Sequence, residues 1–327
     1  MGEAWQTTSG VARMRRHRSH GVVAAAFPAL AGLVVLLASD HVDLVLGALL
    51  GIGLVVMVAR APIPALLAFP ALLPFQQVLL ASLFNLGAPA GVVRGLGFWK
   101  EAVMAGLVVA AVSRARSVGG RVDGIDIAAA CLVGNILVYR IAPGVLTPGV
   151  VVPSSTSLNL ALRGSTMFVV LFVAARRLDV TDEVRERFAR VVMASGGIVA
   201  VVGIVEGLFS TWWNTLAVKV IGIPAYRSQI LDSVLVDPDD IRVRGTVGGQ
   251  IVVRVGSVFF SQISCGLYLV VVLAIALEHL ARDRGPRWVG AIAPLAGVAI
   301  VLTQTRAAVL AAGLVVLLAL RPAPGRA

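Results

Sequence analysis

The chain has 327 residues, of which 58% are hydrophobic and only 14% charged, and its mean hydropathy is +0.92. Soluble domains carry about 45–50% apolar and about 25% charged residues, so this composition excludes an ordinary soluble enzyme and makes lipid the solvent for most of the chain. The 28 Lys and Arg against 17 Asp and Glu leave a net charge of +11, which would suit nucleic acid unless the charges sit where membrane topology requires them.

A helix that crosses a bilayer needs about 20 mostly apolar residues. Such runs follow one another at Gly21–Ser39, Val42–Ala59, Pro62–Phe84, Leu96–Ser113, Ile125–Ala142, Asn159–Ala175, Phe188–Ser210, Val258–Leu280, Trp288–Gln304 and Arg306–Leu320. They predict an all-α fold, a polytopic integral membrane helical bundle of about ten transmembrane helices. The third run contains Pro62, Pro64, Pro70 and Pro74 and is expected to be kinked or partly re-entrant. The last two meet at Thr303-Gln-Thr-Arg306, which predicts a tight helical hairpin.

Threading these runs alternately across the membrane gathers most of the basic residues on one side. They include Arg13, Arg15, Arg16 and Arg18, then Arg60, Arg114, Arg116, Arg121, the group from Arg176 to Arg190, Arg282, Arg284, Arg287, Arg321 and Arg326. By the positive-inside rule both termini are cytoplasmic, in the cytoplasmic membrane. The positive charge is then a topology signal, and no nucleic acid partner is expected. The domain reading is a basic tail over 1–20, a transmembrane bundle over 21–320 with an outer loop at 211–257, and a short cytoplasmic tail over 321–327.

Two cysteines, Cys131 and Cys265, lie in apolar runs, which excludes a disulfide scaffold and a cysteine zinc site; four scattered histidines without an HExxH motif add no metal centre, so no metal or cofactor is expected. Gly47/Gly51 and Gly203/Gly207 are GxxxG pairs, read as close helix packing. Within the outer loop, Trp212-Trp213 reads as an interfacial aromatic belt. The acidic Asp237-Pro-Asp-Asp240 reads as a solvated turn, and the alternation from Ile241 to Arg254 around Gly248-Gly249 predicts a hairpin.

Ionisable residues at span ends are expensive and are functional candidates. Lys100, Arg140, Arg163, Glu206, Arg254 and Arg306 all fall near the outer side of the threading. Each alone is explained by snorkelling or local pairing. As a set they fit a shared anionic ligand, because Arg binds phosphate oxygens with two parallel N–H groups and stays charged when partly desolvated. Glu206, a turn inside its span, is the candidate general base.

Two stretches carry a family resemblance: Arg254-Val-Gly-Ser-Val-Phe259, leading into a span with Gly266-Leu-Tyr-Leu269, and Val301-Leu-Thr-Gln-Thr-Arg-Ala-Ala308. They resemble the O-antigen ligase and polymerase family, in which an Arg-x-x-Gly-x-Phe-like stretch opens one helix and a Thr-x-Ser-Arg-(Gly/Ala)-Ala turn joins a later pair. The resemblance implies a polytopic glycosyltransferase that moves a glycan from a polyprenyl-diphosphate carrier to an acceptor hydroxyl outside the cytoplasmic membrane. It implies diphosphate binding by Arg254 and Arg306, while Lys100, Arg140 and Arg163 remain candidates from their position alone. Thr305 stands where the family has Ser, and Ser261-Gln-Ile-Ser264 where an Asn-Pro-Asn-like stretch is common. The family's catalytic histidine, in a large outer loop beyond the Arg turn, has no counterpart before the chain ends at Ala327, so a missing C-terminal segment or a partner is expected to supply it. The alternatives are a transporter or flippase for a lipid-linked or anionic solute, and a truncated, non-catalytic membrane protein. The inner halves of the spans, almost wholly Ala, Val, Leu and Gly, favour the enzyme.

Overall fold

The computed structural model describes residues 42–118, 124–141, 169, 171–178, 180–231, 239–241, 243–247, 250–282 and 287–320. The expected first span, both tails, most of the sixth span with Arg163, and the side chain of Arg140 lie outside the described residues. The helices are α1 (Val42–Arg60), α2 (Pro62–Leu72), α3 (Gln76–Asn85), α4 (Ala90–Gly97), α5 (Trp99–Val118), α6 (Gly124–Ile141), α7 (Asp182–Leu208), α8 (Ser210–Thr215), α9 (Ile223–Gln229), α10 (Gln262–Ala281), α11 (Val289–Thr303) and α12 (Arg306–Ala319). The strands β1 (Val243–Val247) and β2 (Gln250–Arg254) complete the set.

The protein is a mostly helical membrane protein. Among the described residues, four helical runs are long and apolar enough to cross a bilayer: Pro62–Asn85, Ala90–Arg114, Asp182–Leu208 and Gln262–Ala281. Shorter apolar helices occupy Leu49–Arg60, Asp126–Val138, Val289–Thr303 and Arg306–Ala319. The expected count of about ten is therefore not reached among the described residues. Val289–Thr303, for example, has 15 residues, or about 22 Å of helix against a hydrocarbon core of about 30 Å. The outer surface is apolar, with Leu50, Phe209, Leu310 and Leu317 at least 60% exposed. Such a surface would associate in water and is the normal boundary in lipid.

The largest core cluster lies where α7, α10 and α11 meet, centred on Met193, Val199, Leu269, Val272, Ala296 and Ile300. Glycines let the backbones approach there: a Cβ on Gly196 would fall 2.3 Å from Val272 Cγ2, and one on Gly197 2.6 Å from Ile292 Cδ1. The Gly203/Gly207 pair serves the same end, facing Val255 and Ser257 from one residue and Leu302 from the other. Among the described residues nothing lies within 4 Å of a Cβ built on Gly51, and its neighbours Leu50 and Ile52 are exposed.

The proline-rich third run is continuous from Pro62 to Asn85 except for a 3-10 turn over Leu73–Phe75. Pro74 has no N–H to give to the carbonyl of Pro70, four residues back, so that carbonyl is released from the helix ladder. Two side chains from other helices take it up. The hydroxyl of Tyr268 donates to Pro70 O at 3.2 Å, and Ser195 Oγ lies 2.6 Å from the Tyr268 hydroxyl and 3.4 Å from the same carbonyl. Tyr268→Phe is expected to leave the carbonyl with the longer contact alone and to cost about 1–3 kcal/mol, read as a lower midpoint of thermal unfolding in detergent. An unchanged midpoint would show that water or Ser195 satisfies the kink.

Residues 211–229, expected as part of the outer loop, are instead helical: α8, a π-helical segment (Leu216–Ile221) and α9. Apolar positions at helical spacing explain it: Trp213, Ala217 and Ile221 are buried, as are Ile223, Tyr226 and Ile230, against Leu80, Ala81 and Val93 of α3 and α4. The aromatic pair divides accordingly, with Trp212 57% exposed and Trp213 7%. The π segment ends at Gly222, whose φ of 75° is left-handed, and Asn85 Nδ2 donates to the carbonyl of Val220 at 2.9 Å. The hairpin is present: β1 and β2 pair antiparallel, with Val247 opposite Gln250 across Gly248-Gly249.

Candidate functional site

The two stretches that carried the resemblance lie against each other. Leaving β2 after Arg254, the chain is fastened to the end of α11 by Val255 N–H donating to Leu302 O at 3.2 Å. The next two amides turn the other way. Gly256 N and Ser257 N donate to Glu206 Oε2 of α7, at 3.1 and 2.6 Å, and Ser257 Oγ donates to Val199 O at 2.8 Å. Glu206 is 6% exposed and Ser257 fully buried, so these bonds are made out of water, where unpaired amides would be costly. Arg227 of α9 donates to Phe260 O at 2.7 Å, and burial pushes its guanidinium below the usual arginine value. Ser261 caps α10 through Ser264 N.

On the other side of the junction, Thr303 Oγ1 donates to Ile300 O, and Thr305 Oγ1 to Gln262 O at 3.2 Å. Gly266 of α10 admits the start of α12, since a Cβ there would meet Ala308 Cβ at 2.8 Å. The last two helices meet at a sharp turn, with Gln304 at φ 52°, and α12 packs mainly on α10, so the tight hairpin expected between the last two spans is only in part what forms.

Backbone strain is concentrated here. Among the described residues, the non-glycine residues with positive φ are Ser257 (50°), Phe260 (47°) and Gln304 (52°). All three sit in this junction. Left-handed backbone costs a side chain about 1 kcal/mol or more, and such residues persist where the surroundings over-determine them, commonly at functional sites.

The electrostatics are one-sided. Arg306 opens α12 and is exposed. A cation at a helix N-terminus opposes the helix dipole, and α12 has neither an acidic residue in its first turn nor a side-chain cap from Thr305. Arg254 is half-buried, and its Nε is shielded from solvent without a hydrogen-bond partner. The Glu206 carboxylate at the junction is occupied by backbone amides. Among the described residues neither Arg254 nor Arg306 is in an ion pair, and an unpaired guanidinium and an uncapped helix start are each suited to phosphate oxygens. Among the described residues no group of three His, Cys, Asp or Glu side chains is placed to hold a metal ion.

Of the residues singled out from sequence, Glu206, Arg254 and Arg306 belong to these joined segments. Lys100 belongs to another part of the bundle, on α5 beside Trp99, whose ring lies 5.5 Å from that of Phe69. Arg163 and the Arg140 side chain lie outside the described residues. Gln304 and Arg227 were not anticipated, and no local pattern marks either of them: one is distinguished by its backbone angle, the other by a contact 33 residues away. Searched against family models, curated proteins and solved structures, the chain finds no match.

Proposed function

We propose that the chain is a membrane glycosyltransferase of the O-antigen ligase and polymerase type, which moves a glycan from a polyprenyl diphosphate to an acceptor hydroxyl on the outer side of the cytoplasmic membrane. The observation that carries this reading is the junction itself. Two separated stretches, each resembling a motif of that family, are joined by the Val255–Leu302 bond, and among the described residues Arg254 and Arg306 are in no ion pair.

In this reaction the acceptor oxygen attacks the anomeric carbon, the bond from that carbon to the diphosphate oxygen breaks, and the diphosphate leaves with the electron pair. Arg254 and Arg306 stabilise the charge that develops on the leaving group, the type of term that dominates in water-poor sites. Glu206 positions the turn through Oε2, and its other oxygen is the carboxylate atom available to take the acceptor proton. The test uses the chain in nanodiscs, with a labelled glycan on its polyprenyl diphosphate and a lipid acceptor. Transfer with release of polyprenyl diphosphate supports the reading; no transfer, together with no arginine-dependent binding of the carrier, overturns it.

The orientation has its own test. With both termini cytoplasmic, the exposed Asp239 faces outward and Arg185, near the start of α7, faces the cytoplasm. Asp239→Cys is expected to react with an impermeant maleimide in intact cells and Arg185→Cys to react only after lysis. The reverse pattern would invert the topology and place the junction on the cytoplasmic side.

A further inference from the structure

Among the described residues, two polar side-chain atoms at the junction are shielded from solvent without a hydrogen-bond partner: Nε of Arg254 and Oε1 of Gln304. Native structures leave few such atoms, and each calls for an explanation. These two are complementary, one an N–H donor and the other a carbonyl acceptor. Their segments are held side by side by the bond from Val255 N to Leu302 O, yet the two atoms do not bond each other.

Gln304 is also a costly residue for its place. It is the C-cap of α11 at φ 52°, where glycine is the ordinary choice because it has no Cβ to strain. The threonines on either side use their hydroxyls on backbone carbonyls. Among the described residues the amide oxygen of Gln304 accepts no hydrogen bond, and it is nonetheless kept out of water.

We propose that Arg254 Nε and Gln304 Oε1 form a subsite for one hydroxyl of the sugar attached to the diphosphate. Nε–H donates to the hydroxyl oxygen, and the hydroxyl hydrogen is donated to Oε1. A sugar hydroxyl satisfies both atoms at once, whereas a phosphate oxygen satisfies only the donor and an ammonium only the acceptor. The inference rests on the diphosphate-glycan reading of the site and adds discrimination to it. The glycosylated carrier is held at both places, and the carrier left after transfer loses this contact and is released more readily.

The experiment compares wild type with Gln304→Gly, a variant chosen because glycine suits the backbone angle and keeps the turn. The probes are farnesyl diphosphate and farnesyl diphosphate bearing one hexose, with binding measured in nanodiscs. Wild type is expected to bind the hexose-bearing probe about tenfold more tightly, the worth of one charge-assisted hydrogen-bonded group. Gln304→Gly is expected to lose that preference while binding farnesyl diphosphate as before and unfolding at an equal or higher temperature. A preference that survives in the variant, or that wild type never shows, overturns the subsite and leaves diphosphate binding standing; it would mean that a water molecule satisfies the two atoms. Failure of wild type to bind either probe overturns the diphosphate reading and the subsite with it.

Discussion

Arg306→Lys is expected to lower glycan transfer roughly ten- to a hundredfold although it keeps the charge. A guanidinium offers two parallel N–H groups to a pair of phosphate oxygens, and an ammonium cannot reproduce that fork. Loss of one charge-assisted contact of about 1.5–3 kcal/mol, if made only in the transition state, corresponds to that range of rates. The turn does not depend on this side chain. Arg306 is exposed, and the packing of the α12 start is carried by Thr305 on Gln262 O and by Ala308 on Gly266. The lysine variant should therefore accumulate and unfold like wild type, so that a fall in transfer is not a folding defect. Arg187→Lys is the control, since Arg187 sits in an exposed pair with Glu183 at 2.6 Å near the opposite end of α7. Full transfer by Arg306→Lys would rule out two-pronged diphosphate binding at this position and reduce the residue to part of a helix connection.

Glu206→Ala is expected to abolish transfer and to destabilise the protein. The carboxylate takes the amides of Gly256 and Ser257 in a buried setting, and deleting it leaves both N–H groups unpaired at about 1–3 kcal/mol each. The segment they anchor carries Arg254 at one end and the positive-φ Ser257 at its centre, so its loosening removes an arginine from the site. Glu206→Gln separates the two roles. Its amide carbonyl still accepts from the turn, so folding should survive with a modest loss, whereas an amide takes no proton from an acceptor hydroxyl. Transfer reduced by about 10²-fold or more in a well-folded Gln variant supports proton abstraction, the ordinary scale for such catalysis. Near-normal transfer in Glu206→Gln would confine the residue to holding the turn.

Hydropathy by itself pointed to a mostly helical membrane protein and to the helices that fill its long apolar runs. Long apolar runs have one stable form in lipid, where every backbone group must be paired internally, and most of the described runs are helical close to their expected ends, although α7 starts at Asp182 and not at Phe188 and α5 runs on to Val118. Alternation and a Gly-Gly pair likewise determined the β hairpin, because turn geometry and side-chain period are local properties. The site was legible as a list of residue types, Arg254, Arg306 and Glu206, but not as an arrangement. The tertiary structure alone decided that Glu206 meets amides 50 and 51 residues away, that Val255 binds Leu302, and that Tyr268 and Ser195 take up the carbonyl freed by Pro74. The physical reason is that a buried polar atom must find a partner wherever packing brings one, and the packing here is set by where glycines let helices approach. It was also packing that turned the expected loop over 211–229 into helices, since burial of Trp213, Ile223 and Tyr226 against α3 and α4 is a long-range event. The left-handed Ser257, Phe260 and Gln304 belong with these, because nothing in their side chains asks for that backbone and only the junction imposes it.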